Sequence, residues 1–149
     1  MKKFRFSLDT VLHYKQQILD EIQNEYAALL LEVRRQEDCL EAAEQSYAEL
    51  NQEFRAAKSA GITVAEALRY EGGLRFNENR IREEEQKLEE CRARADEKHD
   101  QLVAAHQDTA SLEKLKDRKL EAYQKETQRN EEHFIEEVIS AAKFMEDVS

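Results

Sequence analysis

One pattern constrains this chain more than any other: a hydrophobic seam that steps alternately by four and three through fifteen positions of its first third. The positions are Leu8, Leu12, Lys15, Leu19, Ile22, Tyr26, Leu29, Val33, Gln36, Leu40, Ala43, Tyr47, Leu50, Phe54 and Ala57, and thirteen of them are apolar. A repeat of ~3.5 residues sustained over seven heptads specifies a left-handed coiled coil, because an undistorted helix would rotate its apolar stripe away from a partner. Such a helix would be about 75 Å long. Nothing in the remainder argues for a different class. The 149 residues include no Pro and three Gly, and all three (Gly61, Gly72, Gly73) lie within one window of 13 residues. Helix breakers are thus confined to a single interruption near the middle, which predicts two helical arms. With 38% charged residues, the chain is too polar to fill a compact core.

The second arm carries a weaker seam. It runs Leu74, Asn77, Ile81, Glu84, Leu88, Cys91, Ala95, Lys98, Leu102, Ala105, Thr109 and Leu112, of which five are large and aliphatic. It continues as Lys116, Leu120, Tyr123, Thr127, Asn130 and Phe134, and the stretch from Thr109 to Leu120 forms an 11-residue stutter that relaxes the supercoil. In the interruption, Gly61 can end a helix in the left-handed conformation, and Thr63 with Glu66 reads as a capping box. A short helix from Val64 to about Tyr70 follows, with Gly72 and Gly73 suited to a hinge or a close helix approach.

The expected fold is therefore all-α, a long antiparallel two-helix coiled coil or helical hairpin. It forms a single elongated domain over residues 1–149: helix 1 at about 5–58, a break with a short helix at about 59–73, and helix 2 at about 74–147. If Ala57 faces Leu74, paired residue numbers add to about 131. This register puts two basic segments side by side: residues 1–15, with Lys2, Lys3, Arg5 and Lys15, and residues 114–129, each with a net charge of +3. The rest of the chain is strongly acidic, since the total is -10. Residues beyond about 130 are left as a helical tail about 30 Å long. Cys39 and Cys91 would lie at one level, where a redox clasp is conceivable. Opposed helices hold their Cα atoms too far apart for ready disulfide geometry, so two reduced, packed thiols are expected.

Chemistry-bearing motifs do not appear. There is no phosphate-binding loop, nucleophile elbow or HExxH pair, which predicts no catalytic residue, no metal and no cofactor. His13, His99, His106 and His133 are isolated and read as surface imidazoles, and the run Glu83, Glu84, Glu85, Glu89 and Glu90 reads as a solvated face. No apolar run approaches the ~20 residues that span a bilayer, and Met1 to Leu8 lacks the apolar region of a secretory signal, so a cytoplasmic protein is expected. The acidic total argues against nucleic-acid binding. At the N-terminus Phe4 and Phe6 alternate with Lys3 and Arg5. They either staple the open end of the hairpin onto Tyr123 or Phe134, or form an exposed docking tip.

Three segments resemble the FliJ proteins of the bacterial flagellar type III export apparatus. The opening Phe4, Phe6, Leu8, Val11, Leu12 and Lys15 matches the family's F-x-F-x-L-x-x-V-L-x-x-K pattern. Gly61, Ile62 and Thr63, then Tyr70, Leu74 and Ile81, are similar to its G-I-[ST] turn and tyrosine-led second helix. Leu112, Glu113, Leu115, Lys116, Leu120 and Tyr123, then Glu126 and Arg129, are like its basic LEKLK segment. The resemblance implies a non-enzymatic stalk, similar to that of rotary ATPases. Such a stalk inserts into the hexameric flagellar export ATPase, promotes its activity, and meets both the cytoplasmic domain of the membrane export gate and export chaperones. It would bind no nucleic acid and reach the inner membrane only through partners. On the resemblance, together with the basic and aromatic character of the terminal end, the ATPase-ring contacts are Phe4, Arg5, Phe6, Lys116, Arg118, Lys119, Leu120 and Tyr123. The resemblance alone puts the gate contacts at Tyr70, Leu74, Asn77 and Ile81, although Gly72, Gly73 and Asn77 depart from the bulkier apolar residues of relatives. The stalk of a virulence secretion system, a prefoldin-like chaperone and a passive scaffold remain open alternatives.

Overall fold

The computed structural model describes residues 3–148, so the expectations placed on Lys2 lie outside the described residues. Two helices account for nearly all of them, α1 (Asp9–Ala60) and α2 (Val64–Val148), packed against each other as an antiparallel hairpin. The connection is three residues long. Gly61 carries it at φ 92°, in the left-handed region that a Cβ disfavours, and its N–H reaches back to the Lys58 carbonyl at 3.3 Å. Thr63 then opens α2: its Oγ1 accepts the Glu66 N–H at 3.2 Å while its carbonyl accepts that of Ala67 at 3.0 Å. The capping signals in the sequence therefore describe the turn correctly.

The expected second break is absent, and the helix limits shift accordingly. The short helix of 64–70 and the helix expected from 74 are one continuous element that passes through Gly72 and Gly73 without interruption. Two glycines cost a helix about 1 kcal/mol each relative to Ala. Tyr70, Leu74, Asn77 and Ile81 bury part of their surface in the seam on either side of them, and that packing outweighs the propensity loss. The glycines are not equivalent: a Cβ on Gly73 would stand 2.9 Å from Leu50 Cδ2, whereas one on Gly72 would meet nothing within 4 Å. Gly73 thus serves a close approach and Gly72 serves none. Gly72→Ala is expected to stabilise the hairpin by about 1 kcal/mol. At Gly73 the same change should gain much less, because the Leu50 methyl must move; urea unfolding of the two variants would separate them.

The seam positions read from the sequence lose solvent except Leu8, Asn130 and Phe134, which stay exposed at the open end, and the register differs from that expected. Leu50 lies over Gly73, Phe54 over Tyr70 with ring centroids 5.0 Å apart, and Tyr26 over His99 at 5.6 Å. Ala57 therefore does not face Leu74. The offset is about one heptad, or ~10 Å along the helix, because the turn takes three residues and not fifteen. Cys39 and Cys91 accordingly do not share a level; both are free, Cys39 exposed and Cys91 half-buried. Mild oxidation of the purified protein should yield no bond between them. A Leu50→Cys, Gly73→Cys pair in a Cys39→Ser, Cys91→Ser background should cross-link readily, as mass spectrometry would report.

Contacts fall into two compact units. One is Asp20–Val103, including the turn; the other joins the described residues up to Leu19 to those from Ala104 onward. In the first unit Ala43, Phe54, Leu88 and Ala95 are buried, and small residues allow the backbones to approach. Three of its polar seam positions are paired: Gln36 Nε2 donates to the Glu84 carbonyl at 3.2 Å and to the Glu84 carboxylate, and Lys98 Nζ meets Glu25 Oε2 at 2.6 Å. On its surface Arg94 donates to Cys91 Sγ at 3.3 Å, and this contact, ahead of Glu32 and Glu90, holds the guanidinium above its ordinary basicity. The second unit buries Phe6, Leu12 and Thr109, the Thr109 hydroxyl donating to the Ala105 carbonyl at 2.9 Å.

Candidate functional site

Within the second unit, the hairpin ends in a cluster built from the extended N-terminal residues, the first turns of α1 and the α2 stretch 113–127. The chain enters α1 through a tight turn in which the Asp9 N–H bonds the Phe6 carbonyl at 3.1 Å and Leu12 that of Leu8 at 2.8 Å. This turn folds the N-terminal aromatics back onto α2. Phe6 is buried, with 9% of its surface exposed, and the Phe4 ring lies 5.5 Å from that of Tyr123, tilted by 48°. Of the two readings of these aromatics, the staple is the one seen: Phe4 packs on Tyr123 and Phe6 is buried. Phe4 and Tyr123 stay half-exposed beside it.

Charge is arranged around this aromatic pair. Lys116 Nζ binds Asp9 Oδ1 at 2.9 Å, Lys15 reaches Asp108 at 3.7 Å, and Gln16 donates to Glu113 at 3.2 Å, so three polar contacts tie α1 to α2 here. Surface pairs of this kind contribute about 0–1 kcal/mol each. Arg5, Arg118 and Lys119 are exposed, while Leu120 packs half-buried in the seam. The eight residues expected at this end are thus brought together, but in different roles. Phe6, Leu120 and the Lys116–Asp9 pair hold the end in shape, and Arg5, Arg118, Lys119 and the rims of Phe4 and Tyr123 face outward.

The four residues expected at the gate are placed differently. Tyr70, Leu74, Asn77 and Ile81 all turn into the seam and are half-buried, Tyr70 edge-on against Phe54. The outward apolar residues near the turn are Val64, Leu68 and Phe76, at 78%, 62% and 70% exposure, flanking the open Gly72. Their i, i+4 spacing with a glycine gap could have been read from the sequence, but the seam took precedence there. Among the described residues no group of three or more His, Cys, Asp or Glu side chains could hold a metal ion, and no helix is long and apolar enough to cross a membrane.

Comparison with known families decides what kind of hairpin this is. The family described as flagellar FliJ protein matches residues 4–146, nearly the whole chain. The chain belongs to the FliJ family. It is therefore a component of the flagellar export apparatus, in a family that is non-catalytic. No curated protein and no solved structure matches it. The match spans the stapled N-terminus, the turn and the basic stretch of α2, the three segments that carried the resemblance.

Proposed function

We propose that this FliJ-family hairpin is a cytoplasmic stalk whose terminal end seats in the hexameric flagellar export ATPase and promotes its activity. The observation that carries the reading is the outward basic set Arg5, Arg118 and Lys119 around the Phe4–Tyr123 pair, at an end stiffened by a buried Phe6. Aromatic and Arg side chains supply most of the energy at protein interfaces, and exposed positive charge steers association with an acidic surface. The acidic body of the chain disfavours adventitious association with nucleic acid. Co-purification with the export ATPase, followed by hydrolysis measured with and without this protein, tests the reading. A stable complex with accelerated hydrolysis supports it, and no complex at micromolar concentration ends it.

The same reading includes links to the export gate and to export chaperones, and an association with the membrane only through these partners. For the gate, the stretch just after the turn is the site. Its accessible apolar residues are Val64, Leu68 and Phe76, whereas Tyr70, Leu74, Asn77 and Ile81 offer only the edges not covered by α1. A pull-down with the gate's cytoplasmic domain should thus lose signal on Leu68→Ser or Phe76→Ser while the hairpin keeps its stability.

A further inference from the structure

The C-terminal stretch of α2 runs on beyond the part of the helix that loses solvent to α1. Every described residue from 128 to 148 is exposed, over a length of about 30 Å, yet the helix persists. Its sequence is not that of a solvated helix. Phe134, Ile135, Val138, Ile139, Met145 and Val148 are each at least half exposed and fall on one side of the helix. That side continues the line of the hairpin seam through Leu120, Tyr123 and Thr127, and a groove of about 670 Å³ opens where the cover by α1 runs out, lined by Tyr123, Thr127, Asn130, Phe134 and Ile135 among others. The hairpin seam thus extends about six helical turns beyond the element that covers it.

Charge selects the occupant. Residues 128–148 carry six acidic side chains against two basic ones; Glu131, three and four residues before Phe134 and Ile135, lines the groove on the apolar face itself, and Glu132 and Glu137 border that face on its two sides. A second copy of this tail would bring acidic borders together in either orientation, and like charges across helix borders disfavour pairing. Acidic borders are likewise repelled by an anionic lipid surface. We propose that residues 128–148 dock an apolar helix of a partner protein whose flanks carry Lys and Arg, lying where α1 would continue if it were longer. This surface is separate from the outward basic residues of the hairpin end, so it stands or falls independently of the ATPase reading.

Two synthetic peptides probe it with the full chain. Both carry Leu and Ile at the seam positions of three heptads; one has Lys and Arg at the flanking positions, the other Glu. Fluorescence anisotropy should show the basic peptide binding at least ten times more tightly than the acidic one, with an affinity that falls as salt rises. Phe134→Ser, Val138→Ser, Met145→Ser in one chain should remove at least ten-fold of that affinity. Because these changes also lower the tail's own helicity, a second variant is needed: Glu132→Lys, Glu136→Lys, Glu137→Lys should invert the preference toward the acidic peptide. Equal binding of the two peptides, or an unchanged preference in the lysine variant, overturns the proposal. So does a sedimentation mass that doubles with concentration in the wild type and not in the serine variant, since the occupant would then be a second copy.

Discussion

Arg118→Glu with Lys119→Glu is expected to abolish stimulation of the export ATPase while leaving the hairpin folded. Both side chains are exposed, whereas neighbouring Lys116 is committed to Asp9 at 2.9 Å. The double reversal turns the +3 of residues 114–129 into -1 without touching a packed atom. Charges at an interface rim act on encounter and register more than on packing, so the loss should appear first as a slower association, most pronounced at low salt. Titration of the ATPase with wild type and variant, with thermal unfolding as the control for folding, gives the answer. Full stimulation by the variant would remove the terminal end from the proposed contact. A lower melting temperature is not expected, because charged pairs at this surface contribute little.

Phe54→Ala should be the most destabilising single change near the turn, at about 3–4 kcal/mol. The ring is 3% exposed, stands edge-on to Tyr70 at 5.0 Å, and lies 3.8 Å beneath the Lys58 ammonium. Its loss therefore removes buried area, an aromatic pair and a cation–π contact together. Among the described residues no large side chain falls below 2% exposure, so the hairpin has few other places where burial is nearly complete. A marginal two-helix fold should not absorb the loss, and part of the population should be unfolded at room temperature. Urea unfolding followed by circular dichroism would measure it; a change under about 1 kcal/mol would mean that the turn end does not anchor the hairpin. By contrast Tyr26, whose neighbour His99 lies on the exposed side of its helix, should cost less on truncation.

How far the candidate site was legible follows from what each residue type can signal. The basic stretch Lys114 to Arg129 and the aromatic pair Phe4 and Phe6 were visible because their types are unusual beside a heptad seam. Which of them face outward was not. Phe4 and Phe6 differ in no property that a pattern can read, yet the turn through Asp9 buries one and leaves the other against Tyr123. Near the turn the reverse occurred. Tyr70, Leu74, Asn77 and Ile81 sit at seam spacing and are used as seam, while Val64, Leu68 and Phe76 are left outside.

By itself the sequence determined two helices, the face each one buries, the turn chemistry at Gly61 and Thr63, and a tail without cover. Those properties depend on local dihedral preferences and on a period that repeats within each helix. The register was decided only by the tertiary structure. Sliding one helix by a heptad returns every apolar position to an apolar position, so the pattern reads the same before and after the slide. Contacts that do not repeat every seven residues break the tie: a three-residue turn, Leu50 against the bare backbone of Gly73, and Gln36 against Glu84. The same contacts explain why α2 runs through two glycines, since the seam on both sides of them is already paired.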